Sequence, residues 1–477
     1  MAFDFSKQYI DGQWVPSASD SWIGVENPAT CEVFAKVPDG CPADVDRAVE
    51  AAHRAQPAWA AQPLAERIAL MRRMLEIFRS MGDEITELET KELGSPTAFS
   101  RSSQVNYQYD RVESYIRCAE TLPLEEDFPC SSVLREPVGV VACVTPWNYP
   151  LGQLVQKVIP AVLMGNTVVM KPSQHTPLTA YYMTEAFDRA GFPKGVVNLV
   201  SGRGRTLGDR LATHPLIDMI SFTGSTKVGI ELAQKALAGM KRVSLELGGK
   251  SPYIWLPGMK DYAPAASKLY DSILLNSGQT CTALSRLLVP ESMLSDVKAL
   301  LLKKLADYPV GDPTDPVSKI GPVASAAQYR KIREYIQLGL EEGAELLAGE
   351  VPPEKPEGGY YIKPAIFVNV KNSMRIAQEE IFGPVLCVLT YRDLDEAVAI
   401  ANDTPYGLNA AVYGPKAEAV AVAKRIKSGN VYVNDGPRDI TAPFGGYKAS
   451  GIGREGGPLG LLEFTQPKAI FEHGSML

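Results

Sequence analysis

The sequence predicts an α/β protein built on a doubly wound parallel sheet, followed by a second α/β unit. Two observations carry that prediction. From Val138 onward, short apolar runs alternate with amphipathic stretches at βαβ spacing, and after Gly248-Gly249 the same alternation resumes. A third agrees with them: 477 residues exceed the length at which one hydrophobic core stops growing.

Taken in chain order, Gln8 to Val15 alternates around Asp11-Gly12 and reads as a short strand signal. Helical periodicity covers Ala43 to Trp59 and Ala65 to Leu93. Leu122 to Arg135 contains Pro123 and Pro129 and reads as an extended excursion outside the core. The strands of the first sheet are expected at Val138–Val144, Thr167–Met170, Val196–Val200, Ile217–Phe222 and Val243–Leu247, with helices at Leu151–Leu163, Leu178–Ala190, Thr206–Ala212 and Lys227–Ala238. Those of the second are expected at Leu287–Val289, Ile366–Val370, Leu386–Tyr391, Ala410–Tyr413 and Val431–Val433. Residues 350–359 form a surface loop by composition, and the tail after Phe464 reads as one more strand.

Composition narrows the function classes. A hydrophobic share of 45% and a charged share of 22% are those of a globular chain, and a net charge of -7 argues against a basic nucleic-acid surface. No stretch reaches membrane-spanning length, and the first ten residues lack the apolar core of a signal peptide, so a cytoplasmic location without membrane contact is expected. Seven cysteines are scattered without a C-x-x-C pair, and most are expected to pack as small hydrophobes. The four histidines lack ligand spacing, so no metal site is expected and catalysis is sought among Cys, Glu, Asn and Lys.

Several segments have chemistry in reach. Gly-rich turns at Gly202-Arg203-Gly204 and at Phe222-Thr223-Gly224-Ser225-Thr226, followed by Gly229, lie where strands give way to helices, the setting in which free N–H groups hold a pyrophosphate. Each departs from G-x-G-x-x-G and, taken alone, reads better as a structural turn than as a phosphate site. Gly451 to Gly456 does match that pattern, but no strand leads into it, which makes it a decoy. Cys281 follows a Gly-containing turn among small polar residues, compatible with a packed thiol or a nucleophile. Glu246 sits in a run suited to a buried strand, either as a half-buried edge carboxylate or as a general base whose pKa burial raises. Asn148, between Pro146 and Pro150, is a turn residue or an oxyanion donor.

Taken together, TPWNYP at 145–150, KPS at 171–173, FTGST at 222–226, LELGGKSP at 245–252, GQTC at 278–281, EEIFGPV at 379–385 and PFGGYKASGIGRE at 443–455 resemble the aldehyde dehydrogenase superfamily over nearly the whole chain and in the same order. The resemblance implies a non-acylating enzyme that oxidises an aldehyde with NAD, and also NADP. Cys281 would form the thiohemiacetal and thioester, Asn148 would hold the oxyanion, and Glu246 would activate the hydrolytic water. It further implies that Lys171 and Gln174 meet the adenosine ribose, that Gly204, Gly224, Ser225 and Gly229 shape the pyrophosphate turn, that Glu380 holds the nicotinamide ribose, and that Trp147 and Phe382 line the nicotinamide pocket. A Rossmann-type cofactor domain would comprise residues 1–118 and 138–248 with a return at 449–464. Residues 249–448 would be the catalytic domain, and 119–137 with 465–477 the oligomerisation strands of a homodimer or homotetramer.

Tyr149, Gln153, Gln156, Thr280, Thr282 and Arg438 are expected around the aldehyde, a polar lining suited to a small or polar substrate such as a semialdehyde whose carboxylate meets Arg438. One departure bears on the cofactor: NAD-preferring members commonly carry Glu where this chain has Gln174, so discrimination against NADP should be weak, with Arg203 or Arg205 in reach of a 2′-phosphate. A CoA-acylating semialdehyde dehydrogenase would share Cys281 but is expected to lack the Glu246 carboxylate. A cysteine esterase or a non-enzymatic binding protein would have no use for the whole set.

Overall fold

The computed structural model describes residues 3–356, 358–434 and 436–471. Its first element is the hairpin of β1 (Gln8–Ile10) and β2 (Gln13–Val15), whose turn residues Asp11 and Gly12 both take positive φ, 54° and 71°. That backbone matches the right-handed twist of the two strands. A second hairpin, β3 (Trp22–Asn27) with β4 (Glu32–Pro38), was not foreseen from the sequence; its two strands expose much of their length and alternate weakly.

Helices Pro42–Ala60, Leu64–Ser80 and Gly82–Leu93 follow. The periodicity read from Ala65 to Leu93 is thus two helices that break at Met81, which turns inward and is buried. Helix Tyr107–Thr121, also unforeseen, ends just before the excursion and takes up the first three residues of the stretch 119–137 expected as oligomerisation strand. The excursion itself is β5 (Glu125–Phe128) and β6 (Ser131–Pro137).

Five parallel strands then build the first sheet: β7 (Val140–Val144), β8 (Thr167–Lys171), β9 (Val197–Leu199), β10 (Met219–Thr223) and β11 (Arg242–Glu246). They are buried on both faces apart from the first residues of β11, which is why they read as continuous apolar runs. The chain steps from β7 to β8 to β9, returns to lay β10 against the other side of β7, and continues to β11, giving the order β11-β10-β7-β8-β9. The strand order reverses between β7 and β10, and such a switch point leaves a crevice outside the carboxyl ends of the strands. The connecting helices are Pro150–Leu163, Leu178–Ala190, Gly204–Thr213 and Thr226–Leu237, within two residues of the expected spans.

The second sheet holds β12 (Pro252–Trp255), β13 (Arg286–Pro290), β14 (Glu345–Ala348), β15 (Ala365–Val368), β16 (Val385–Tyr391), β17 (Asn409–Tyr413) and β18 (Asn430–Val433), ordered β14-β15-β16-β13-β12-β17-β18. All pairs are parallel except the edge strand β14. The decoy glycines form β19 (Gly451–Ile452), which pairs antiparallel with β11 as an edge strand and leads into no phosphate turn. Finally β20 (Thr465–Phe471) joins β6 and β5 in an antiparallel sheet with little burial. The expected strand tail beyond residue 471 lies outside the described residues.

Candidate active site

Cys281 hangs on an unusual turn. Asn276, Ser277 and Gly278 all take left-handed backbone, with φ of 54°, 55° and 72°. Only the third is a glycine, so the first two must be held by their surroundings. Ser277 Oγ donates to the Gly321 carbonyl at 2.8 Å, and Asn276 Oδ1 accepts from Ser95 Oγ at 2.7 Å. Gly278 is required sterically as well, since a Cβ there would lie 2.2 Å from the Gly383 backbone. Gln279 closes the turn by donating to the Asn276 carbonyl at 3.1 Å and accepting from the Ala324 N–H at 2.8 Å.

The same asparagine ties this turn to the loop after β7. Asn276 Nδ2 donates to the Asn148 carbonyl at 2.9 Å, and Gln104 Nε2 reaches that carbonyl at 3.1 Å. Asn148 Nδ2 donates in turn to the Gln279 carbonyl at 3.0 Å, and its amide faces the cavity that Cys281 also lines. The next residue adds another link, Tyr149 Oη to Thr280 Oγ1 at 3.0 Å. The Asn148 loop and the Cys281 turn are therefore tied to one another by three side-chain bonds, while Gln104 and Gln279 brace the two sides separately.

Burial, followed by the carboxylates of Glu380 and Glu246, pushes the Cys281 thiol up to about 12. At neutral pH the resting sulfur is a thiol, and attack requires a proton acceptor. Glu246 ends β11, is 3% exposed, and neither carboxylate oxygen has a hydrogen-bond partner. Burial first and the Glu455 carboxylate second hold it well above the usual carboxylate range, opposed by Lys157 and Arg454. Lys157 itself is paired with Glu455 at 2.5 Å, both buried.

The cavity, about 170 Å³, opens at the carboxyl ends of β7 and β10 where the switch point lies, and is lined by Trp147, Asn148, Gly224, Ser225, Cys281, Glu380 and Phe382 among the residues expected from sequence. Ser225 caps helix Thr226–Leu237, its Oγ accepting from the Val228 N–H at 3.4 Å, so the N–H groups of that helix face the opening. A Cβ on Gly224 would strike the Phe222 ring at 2.4 Å, and one on Gly229 would strike Leu247 at 2.4 Å. Gly224 therefore shapes the turn and Gly229 seats the helix on β11. Glu380 Oε1 accepts from the Gly249 N–H at 3.0 Å. Trp147 and Phe382 meet edge to face with centroids 5.3 Å apart, and Phe382 has a φ of 64°.

Lys171 ends β8 and Gln174 follows it, both outside the lining of this cavity. Lys171 Nζ is buried, bonded to the Pro172 carbonyl at 2.7 Å, and pulled down to about 8 by burial. Gly204 opens helix Gly204–Thr213 with open space around it, a position no side chain would obstruct. Arg203, expected near a 2′-phosphate, is instead paired with Asp39, whose Oδ2 accepts from its Nε at 2.8 Å. The sequence offered no signal for Asp39, which is contributed by the residues after β4. Gln328 and Lys331, from helix Ala326–Glu341, also line the cavity and were missed; Gln328 donates to the Phe382 carbonyl at 2.6 Å. A polar residue on the buried face of an otherwise apolar stripe is the signal that marks Gln328.

On the aldehyde side, Gln153 has a buried Oε1 without partner, and the Thr282 carbonyl accepts from Asn409 Nδ2 at 2.8 Å. Gln156 and Arg438 border one narrow cleft, where the Arg438 guanidinium stands 4.9 Å from the Phe444 ring centroid. Among the other cysteines only Cys143 and Cys387 are buried, while Cys31 and Cys130 are exposed, contrary to the expectation that most would be packed. Among the described residues no group of three His, Cys, Asp or Glu could hold a metal, and no helix is long and apolar enough to cross a membrane.

A half-buried cysteine and a fixed amide lining one cavity, an unpartnered carboxylate in electrostatic reach of the sulfur and a glycine turn at a switch point are the features of a dinucleotide-dependent enzyme with a candidate thiol nucleophile. Comparison with known proteins gives that class its family. The model of the aldehyde dehydrogenase family matches residues 14–470, and the chain belongs to that family. A Staphylococcus aureus protein named as a candidate aldehyde dehydrogenase is 44% identical over 474 residues, 98% of each chain. Aldehyde dehydrogenase C from Pseudomonas syringae, solved as a mutant with NAD+ and octanal, is 42% identical with a TM-score of 0.96 over 99% of this chain and 97% of its own. An aldehyde dehydrogenase from Mycobacterium tuberculosis, solved with NAD+, is 38% identical with a TM-score of 0.97 over the full length of both.

Proposed function

We propose that the protein oxidises an aldehyde to a carboxylic acid through a covalent thioester on Cys281, in the overall sense RCHO + NAD+ + H2O giving RCOO− + NADH + 2 H+. The observation that carries this reading is the meeting of Cys281 and Asn148 in one cavity, with the unpartnered Glu246 carboxylate outside its lining but in electrostatic reach of the sulfur. The raised proton affinity of Glu246 suits it to take the proton of the thiol and later that of water. The Asn148 amide and the Cys281 N–H stabilise the oxygen that becomes negative when sulfur adds to the carbonyl. Bound in the cleft, the nicotinamide supplies the acceptor of the hydride that leaves the thiohemiacetal carbon. Glu246 then activates the water that releases the acid, which favours hydrolysis over transfer of the acyl group to CoA. An esterase would make no use of Glu380 or the glycine turn.

The fit of the dinucleotide rests on the capped helix start at Ser225, the close approach at Gly224, and the buried ammonium of Lys171, which has only a single backbone carbonyl as partner. NADP is accepted along with NAD in this reading, because Gln174 brings no carboxylate to repel a 2′-phosphate. Arg203 is engaged by Asp39, so Arg205 is the nearer candidate to meet that phosphate. Residues 1–118, 138–248 and 449–464 serve the cofactor, and 249–448 the chemistry. The sheet of β5, β6 and β20 serves assembly into a homodimer or homotetramer, supported by Phe128 and Phe471, which are 52% and 81% exposed on it. A cytoplasmic location belongs to the same reading.

An absorbance assay for NADH with an aldehyde panel and both cofactors tests the proposal, since an esterase or a binding protein forms none. Gln174→Glu should raise the NAD+ preference by weakening NADP+ binding; a wild type that rejects NADP+ as strongly as the variant would remove Gln174 from the argument.

A further inference from the structure

Resting on the aldehyde dehydrogenase reading, the far end of the substrate can be read from two arginines on the aldehyde side. Arg111, on helix Tyr107–Thr121, lies 4.8 Å from the Tyr107 ring centroid and donates to the uncharged Gln108 Oε1 at 3.1 Å. Arg438 stacks on Phe444. Both border the narrow cleft beside Gln156. Among the described residues neither guanidinium has a carboxylate within ion-pair distance. The carboxylate that faces them, Glu455, is committed to Lys157.

Two neighbouring positive charges that share one facing carboxylate with Lys157 are left with excess positive charge, which costs free energy, and an anion between them offsets that cost. Burial and then Arg438 hold Arg111 below its usual range. The pair bears directly on the reacting end. Arg111 and Arg438 both act electrostatically on Tyr149, whose hydroxyl bonds Thr280 next to the nucleophile, and Arg438 acts on Cys281 itself. A further donor is to hand in the Tyr107 hydroxyl, which is buried without a partner.

We propose that this enzyme selects aldehydes whose far end carries a carboxylate, received between Arg438 and Arg111, over neutral alkyl aldehydes of the same length. Arg111 is the part of this site that the sequence did not reveal, because its helix was not foreseen.

The test compares kcat/KM for succinate semialdehyde and butanal, four carbons each, at saturating NAD+. The wild type should favour the acid by about tenfold or more, the worth of one charge-assisted contact, and the preference should shrink as salt rises. Arg438→Gln, at an exposed position where folding is not at stake, should cut that ratio by about tenfold, Arg111→Gln should cut it as well, and Arg438→Lys should keep part of it. Calorimetric binding of glutarate to Cys281→Ala protein reads the anion site without turnover, and should weaken when Arg438→Gln is added. Equal use of the two aldehydes, or a ratio unmoved in both arginine variants, overturns the proposal while leaving the dehydrogenase intact. NADH from neither of these nor from any other aldehyde of the panel, together with tight glutarate binding, would overturn the dehydrogenase reading and keep the anion site.

Discussion

The two sides of the proposed catalytic centre are built on opposite plans. Around Cys281, polar groups find partners: a left-handed run is pinned at Asn276, Ser277 and Gln279, and Asn148 is bonded through both its amide and its carbonyl. Around Glu246 the carboxylate is buried with both oxygens unpartnered. The contrast separates two requirements of one reaction. A nucleophile and its oxyanion donor gain from fixed geometry, since misplacement by an ångström costs rate. A general base gains from a raised proton affinity and from lone pairs that no donor already occupies.

The largest effect that could break this contrast is Cys281→Ala. NADH formation should fall to background while NAD+ affinity, measured by fluorescence titration, stays within about twofold, because sulfur makes the covalent bond and does not hold the dinucleotide. Substantial remaining turnover would refute the covalent route.

Glu246→Gln should leave a first-turnover burst of NADH and slow the steady state by about 10²- to 10⁴-fold. Loss of the burst would mean that Glu246 acts before hydride transfer. In the wild type, a base whose pKa is raised works only once deprotonated, so steady-state rate should climb with pH through that raised value and fall away below it. This limb should vanish in the variant.

Lys157→Met sharpens the electrostatic half of the comparison. It leaves Glu455 buried and unpaired, so the protein should lose about 3–5 kcal/mol of stability. It also removes a positive charge that opposes the upward shift of Glu246, so the rate limb should move to higher pH. A stability loss with an unmoved pH profile would confine Lys157 to a structural part.

Gly278→Ala probes the geometric half. The new methyl group meets the Gly383 backbone, and the φ of 72° disfavours any side chain, so about 1–3 kcal/mol should be lost in thermal unfolding, with kcat falling further than the pH limb moves.

Much of this site was legible in the sequence because its key residues sit at strand ends. Asn148 follows β7, the Gly224 turn follows β10 and Glu246 ends β11, and apolar runs announce each of those strands. What stayed hidden depends on groups that approach from elsewhere. The left-handed backbone of Asn276 and Ser277 is imposed by Ser95 and by the Gly321 carbonyl, 181 and 44 residues away, and local propensity contains no trace of either. Arg203 was assigned to a phosphate because its turn was visible, whereas Asp39, which holds it, is 164 residues distant. The strand pair β3–β4 and helix Tyr107–Thr121 were missed for a plainer reason: partial exposure blurs the first, and a π-helical turn over Ser100–Asn106 interrupts the period before the second.

The burial that raises the Cys281 thiol also governs how the protein ages. A sulfur kept protonated in its resting state reacts slowly with peroxide and with stray electrophiles, since the thiolate is the form they consume. Cys31 and Cys130 stand exposed at the surface and meet such reagents first. Glu246, the carboxylate proposed to take the proton of this sulfur, thus also helps to keep that proton in place at rest.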